Sequence, residues 1–213
     1  MRREFSSLFS CFRRVLALYL PAAAAAFALS SFLALPAQVL VRPVNLAYLV
    51  QRADIIVQGR VRQVVQEALP GYPNIPTIKV TLDVERMMRG PTTKTYTFRE
   101  ILLGLGSKAG KKDYGVGQQV FLFLPAPSEY GLSSPIGIEQ GRFHITPNPA
   151  GSSMVVNDSN NLGLFRNVAQ AASLAGYPLT ASQLKVTAAE GGPVRLDGFV
   201  SLVKSLTSMP RIR

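Results

Sequence analysis

The most regular stretch of the chain alternates apolar and polar residues with period two. Ile78, Val80, Leu82 and Val84 interleave with Lys79, Thr81, Asp83 and Glu85. One face of such a strand packs and the other is wet, which marks an antiparallel sheet. The same period opens earlier, where Val57, Gly59 and Val61 alternate with Gln58, Arg60 and Arg62. Glycine gives a strand nothing to pack, so Gly59 predicts a sharp bend or a close backbone approach. Tyr96 and Phe98 share a face of a third strand, opposite Thr95, Thr97 and Arg99. Val120-Phe121-Leu122-Phe123-Leu124 is apolar on both phases, which predicts a central strand or one capped by a helix. Phe143 and Ile145 fall on the phase opposite to Ile138, so a fifth strand is expected with Gly141 at a bulge. Met154-Val155-Val156 predicts a short sixth strand.

Helical spacing brackets these strands. Residues Val44 to Ala53 place their apolar groups as a short amphipathic helix does, and Asn45 is its candidate cap. Near the C-terminus, Phe199, Val200, Val203 and Leu206 form an apolar stripe behind Asp197, which is expected to cap a helix at about 197–208. Pro70-Gly71-Tyr72-Pro73 and Gly90-Pro91 punctuate the strands, and a glycine- and lysine-rich loop runs from Leu103 to Gly117. The expected fold is mainly β. It is a small antiparallel barrel of five or six strands, OB-like, with a short N-terminal helix and a C-terminal helix.

The first 37 residues have a different character. Arg2, Arg3, Arg13 and Arg14 precede a charge-free run from Val15 to Leu35, which ends at Pro36-Ala37-Gln38. A basic start, an apolar middle and small residues at the end are the pattern of a secretory signal, with cleavage expected after Ala37. Val15 to Leu35 is also long enough to span a bilayer as an uncleaved anchor. That is the one membrane contact the sequence suggests. The twin arginines admit the twin-arginine export route beside the ordinary one. The organisation is therefore a signal (1–37), a β-barrel domain (38–160) and a C-terminal extension (161–213).

Removing the signal takes four of 23 basic and one of 12 acidic residues, leaving a net charge of +8. It also takes Cys11, the single cysteine, so the exported domain has neither disulfide nor thiol nucleophile. A positive surplus attracts anionic surfaces and polymers. The candidate contacts are Arg60, Arg62, Arg99 and Arg142 on polar strand phases, with Lys108, Lys111 and Lys112 in the long loop. Arginine presents a planar fork of donors suited to carboxylate, sulfate or phosphate groups.

Catalytic sets are sparse. Serine hydrolysis needs a histidine, and the sole one, His144, lies between Phe143 and Ile145 on a phase expected to face solvent. Gly131-Leu132-Ser133-Ser134-Pro135 lacks the second glycine of a nucleophile elbow. One histidine and no cysteine fall short of a zinc ligand set. Gly104-x-Gly106-x-x-Ala109 and Gly106-x-x-x-Gly110-Lys111 approach nucleotide-binding fingerprints, but Lys111-Lys112-Asp113-Tyr114-Gly115 starts no helix behind them. Asp83, Glu85 and Glu100 are the carboxylates a glycosidase would draw on, without an aromatic sugar platform beside them. Asn157-Asp158-Ser159 matches a glycosylation acceptor in a eukaryotic host. No cofactor is expected, and no nucleic acid.

The order of segments carries a resemblance. It runs from Ala53-Asp54-Ile55-Ile56-Val57-Gln58-Gly59-Arg60-Val61 through Thr81-Leu82-Asp83-Val84-Glu85-Arg86-Met87-Met88-Arg89-Gly90 and Tyr96-Thr97-Phe98. Val116-Gly117-Gln118-Gln119-Val120-Phe121-Leu122-Phe123-Leu124 and Gly137-Ile138-Glu139-Gln140-Gly141-Arg142-Phe143 follow. This resembles a family of uncharacterised secreted bacterial proteins and, more distantly, the netrin-like, OB-type barrel of tissue inhibitors of metalloproteinases. It covers Ala53 to Ile145, and it implies the barrel. Those inhibitors hold the protease zinc through an N-terminal cysteine, where this chain offers Gln38-Val39-Leu40. The expectation is an exported, non-catalytic binding module of the cell envelope, secreted or periplasmic, whose partner is a protein or an anionic polymer. The alternatives are a divergent secreted hydrolase and an inhibitor-like protein lacking that cysteine.

Overall fold

Seven antiparallel strands line up in one sheet in the order β3-β2-β1-β4-β5-β6-β7. They are β1 (Ile55–Leu69), β2 (Tyr72–Arg89), β3 (Thr95–Ile101), β4 (Gln119–Leu124), β5 (Arg142–Pro147), β6 (Ser153–Asn157) and β7 (Val194–Arg195). The computed structural model describes residues 42–102, 114–138, 140–149 and 151–211. Among them are four helices: α1 (Leu46–Arg52), α2 (Val168–Leu174), α3 (Ala181–Thr187) and α4 (Leu196–Thr207).

The alternation read from the sequence sets the two faces of the sheet. Val57 and Val61 of β1, Ile78, Val80 and Leu82 of β2, Phe98 of β3 and Val120, Leu122 and Leu124 of β4 share one buried cluster. The opposite face of β4 and β5, with Phe121, Phe123, Phe143 and Ile145, packs beneath Leu46, Leu49 and Val50 of α1 and Phe199, Leu202, Val203 and Leu206 of α4. Phe199 meets Phe121, Phe123 and Phe143 at ring-centroid distances of 5.3, 6.5 and 5.1 Å. Both faces of β4 are thus covered, as its unbroken apolar run requires. Gly59 sits where a Cβ would meet the carbonyl oxygen of Asp83 at 2.6 Å, and the β1–β2 register shifts there. The close backbone approach expected of it is present.

The sheet curls, but it does not close into the five- or six-stranded barrel that was expected. Glu100 on β3 and Arg142 on β5 are four strand spacings apart, about 19 Å in a flat sheet. Their charged ends lie 3.9 Å apart across the concave face. What keeps β3 from pairing further is the state of its free edge. The Thr93 hydroxyl donates to the Thr95 carbonyl (2.9 Å) and accepts from the Thr95 N–H (3.4 Å). Ser133 N–H donates to the Arg99 carbonyl at 2.7 Å, beside a bridge from Leu132. An edge blunted in this way has little left to offer another strand. At the other end β7 is two residues long.

Two local expectations change. Gly141 is not a bulge inside β5 but the end of a turn before it, donating from its N–H to the Ile136 carbonyl at 2.8 Å. A Cβ there would meet that oxygen at 2.7 Å. Asp197 lies inside the first turn of α4 rather than at its cap, which is Arg195 with no side-chain cap bond. The reason is that Val194 and Arg195 pair with β6, so the chain enters α4 directly from a strand.

Helices α2 and α3 lack a strong apolar period; α2 places Val168 and Ala172 in the core, and α3 is held by polar chemistry. Thr180 and Gln183 form a capping box at the start of α3. Buried Gln183 also donates to Ser201 and Ser205 of α4. Thr180→Ala is expected to lower stability by about 1 kcal/mol, read as a shift in the urea midpoint with an unchanged slope.

Candidate functional site

The outer face of β1, β2 and β3 gathers three of the predicted cations. Arg60, with its side chain 51 % exposed, approaches Glu85 at 3.8 Å, and Arg62, 62 % exposed, approaches Asp83 at 3.5 Å. Arg99 bonds Glu67, which also accepts from Lys79 at 3.2 Å. Those two bonds, the Arg99 one first, hold the Glu67 carboxyl below the usual carboxylate range. Four cations therefore face three carboxylates, and the field of this face is nearly cancelled at short range.

Arg142 is not among them. Its side chain is 5 % exposed and points into the concave side of the sheet, opposite to the outward orientation expected. The reason is the curl: the polar phase of β5 faces β3 instead of water. Lys108, Lys111 and Lys112 lie outside the described residues, as does the signal segment.

Inside the curl, Arg142 anchors a buried polar cluster. Its guanidinium donates to Asp158 Oδ2 at 3.2 Å, faces Glu100, and lies over the Tyr114 ring at 5.1 Å from the centroid. The Tyr114 hydroxyl reaches Glu100 Oε2 at 3.4 Å. His144, expected to face solvent, belongs to the same cluster. Gln118 Oε1 accepts from the Gly115 N–H at 3.0 Å, which turns its amide nitrogen toward His144 Nδ1 at 2.6 Å. Nδ1 must then accept, so the proton sits on Nε2 and is donated to Asp158 Oδ1 at 3.2 Å. Both ring nitrogens are occupied. Glu100 is likewise not beside Asp83 and Glu85 on the outer face but within this interior cluster.

A third place combines exposure with uncommitted chemistry. Tyr48, Gln51 and Arg52 of α1, with Asp54, Pro125, Ile136 and Arg211, line an open cleft of about 740 Å³. Its floor is the C-terminal end of α1, whose unpaired carbonyls need donors. Arg89 donates to the carbonyls of Val50 and Ala53, and Arg211 to those of Gln51 and Ala53. Asp54 is saturated too: Ala126 N–H donates to Oδ2 at 2.8 Å and Arg211 to Oδ1 at 3.0 Å. The Ala126 bond, with help from Arg211, holds its carboxyl below the usual range. Among the described residues Arg52 pairs with no carboxylate, and it lies 5.9 Å from the centre of the Tyr48 ring. The sequence reading missed this cleft, and the amphipathic α1 with Tyr48 and Arg52 on its wet side was the available signal.

Among the described residues no three His, Cys, Asp or Glu side chains converge as metal ligands would. No described helix is long and apolar enough to cross a membrane. No family model matches the sequence, and no curated protein matches it.

Proposed function

We propose that this chain is an exported, non-catalytic binding module of the cell envelope, with a protein as the partner of its outer strand face. The observation that carries the reading is the state of His144. Its two ring nitrogens are engaged by Gln118 and Asp158, so it has none left to act as a general base on a substrate. The mixed charges of Arg60, Arg62 and Arg99 with Glu85, Asp83 and Glu67 favour a partner surface of mixed charge over a polyanion. The curled part, β3-β2-β1-β4-β5, is the counterpart we assign to the netrin-like barrel suggested by the segment order.

One observation favours a hydrolase. A histidine on an aspartate is two thirds of a catalytic triad. The third place is filled by the Gln118 amide, which is not a nucleophile. The two readings separate in a turnover screen of the purified protein against ester, peptide and glycoside substrates. No turnover is expected, together with a partner recovered by crosslinking in the native envelope. Turnover lost in a folded His144→Asn variant would establish the hydrolase instead. Export makes its own prediction: mass spectrometry of the exported protein should find an N-terminus near Gln38. An intact Met1 start retained in the membrane would refute cleavage.

A further inference from the structure

We propose that the cleft at the C-terminal end of α1 binds a small anion carrying an apolar group, such as a carboxylate on a short alkyl chain or an aromatic ring. The inference stands on the cleft alone and does not depend on the partner of the outer strand face. Among the described residues, three guanidinium groups surround this end of the helix, those of Arg52, Arg89 and Arg211, against the one carboxylate of Asp54. Arg89 and Arg211 both donate to the Ala53 carbonyl at this helix end. Burial, and after it repulsion by Arg211, holds the Arg89 guanidinium below its usual range, partly offset by Asp54. An anion entering the cleft would relieve that excess.

The division of labour among these arginines decides which one meets the ligand. Arg89 and Arg211 are committed to backbone carbonyls, and Arg211 also to Asp54. Among the described residues the Arg52 guanidinium meets the face of Tyr48 and bonds no acceptor, so its fork of donors is open to a carboxylate in the bidentate manner. Tyr48 is 46 % exposed. With Pro125 and Ile136 it supplies the apolar wall against which hydrocarbon would lose its contact with water. The cleft volume, about 740 Å³, lies within the range of small-molecule sites. A cation would meet the charge excess unfavourably, and an uncharged alcohol would leave Arg52 unpaired.

The test uses octanoate, octylamine and octanol on the purified protein, followed by NMR of isoleucine methyl and tyrosine ring signals. Octanoate is expected to shift Ile136 and Tyr48, while octylamine leaves them unmoved and octanol binds more weakly. Arg52→Gln should weaken octanoate at least about tenfold, the scale of a lost charge-assisted hydrogen bond. Its thermal midpoint should not change, because the side chain is exposed and pairs with no carboxylate. Arg52→Lys should keep part of the affinity. Equal affinity of Arg52→Gln and the unaltered protein would overturn the proposal. So would octylamine binding as tightly as octanoate, shifts confined to other residues, or no response to octanoate. None of those results bears on the crosslinked partner or on the turnover screen, so the binding-module reading stands or falls separately.

Discussion

Val80→Asp is expected to abolish the cooperative unfolding transition, whereas Thr81→Asp, one residue along the same strand, should cost about 1 kcal/mol or less. Val80 is fully buried in the concave cluster, opposite Val64 of β1 and Phe98 of β3. A carboxylate placed there has no partner within the apolar cluster, and an unpaired charge in such surroundings costs many kcal/mol before it neutralises. Even the protonated acid would leave unsatisfied polar atoms where methyl groups had packed, costing about 2–5 kcal/mol beyond the lost burial. A domain of this size is held together by only ~5–15 kcal/mol. Thr81 loses a hydroxyl contact with Thr97 at 3.0 Å and otherwise faces outward, near Lys79 and Arg99. Urea titrations followed by circular dichroism would compare the two. Equal loss from Thr81→Asp would mean that the outer face is itself covered in the folded protein.

That contrast shows which parts of the fold the residue pattern made legible. Strand phases in β2, β3 and β1 from Arg60 onward followed from alternation because one side is wet there, and period two then fixes every side chain. Ile55 to Gly59, beside β4, are buried on both phases. Asn45 at the start of α1 was readable because its side chain does local work, accepting from the Tyr48 N–H at 2.8 Å. Closure was not readable. Whether a curled sheet becomes a barrel depends on edge hydrogen bonds supplied by Thr93 and Ser133, which leave no trace in periodicity. Helices α2 and α3 were missed because neither carries an apolar stripe: α2 buries only Val168 and Ala172, and α3 only Gln183, whereas the equally short α1 buries Leu46, Ala47, Leu49 and Val50.

The site was less legible than the fold, for a specific reason. Arg142 and His144 were assigned to water because they alternate with Phe143 and Ile145. Alternation separates two faces without saying that one of them is wet. The missing clue was β4, whose residues Val120 to Leu124 are buried on both phases. Arg142 pairs with Leu122 and His144 with Val120, so the polar phase of β5 lies beside the buried concave phase of β4. A strand flanking one covered on both sides inherits two covered faces, and polar residues on it signal an interior network.

That network is the second large effect. Arg142→Met should destabilise the protein by about 3–5 kcal/mol, the cost of removing one member of a buried ion pair. The guanidinium lies between Asp158 at 3.2 Å and Glu100 at 3.9 Å, and neither carboxylate can turn to bulk water. Methionine replaces the volume but leaves two acids facing an apolar chain. The cost is therefore electrostatic, which a compensating variant can expose. Adding Glu100→Gln and Asp158→Asn to Arg142→Met removes the two charges that faced Arg142 while keeping hydrogen-bonding groups for Tyr114 and His144. The triple variant should be more stable than Arg142→Met alone, an inversion that simple loss of packing would not produce. Urea midpoints with unchanged slopes would provide the measurement. A loss under about 1 kcal/mol in the single variant is what a water-screened pair would give, and it would show that solvent enters the curl. The expected larger loss would instead assign the bend of β3 toward β5 to this buried cluster, because no backbone pairing joins those two strands.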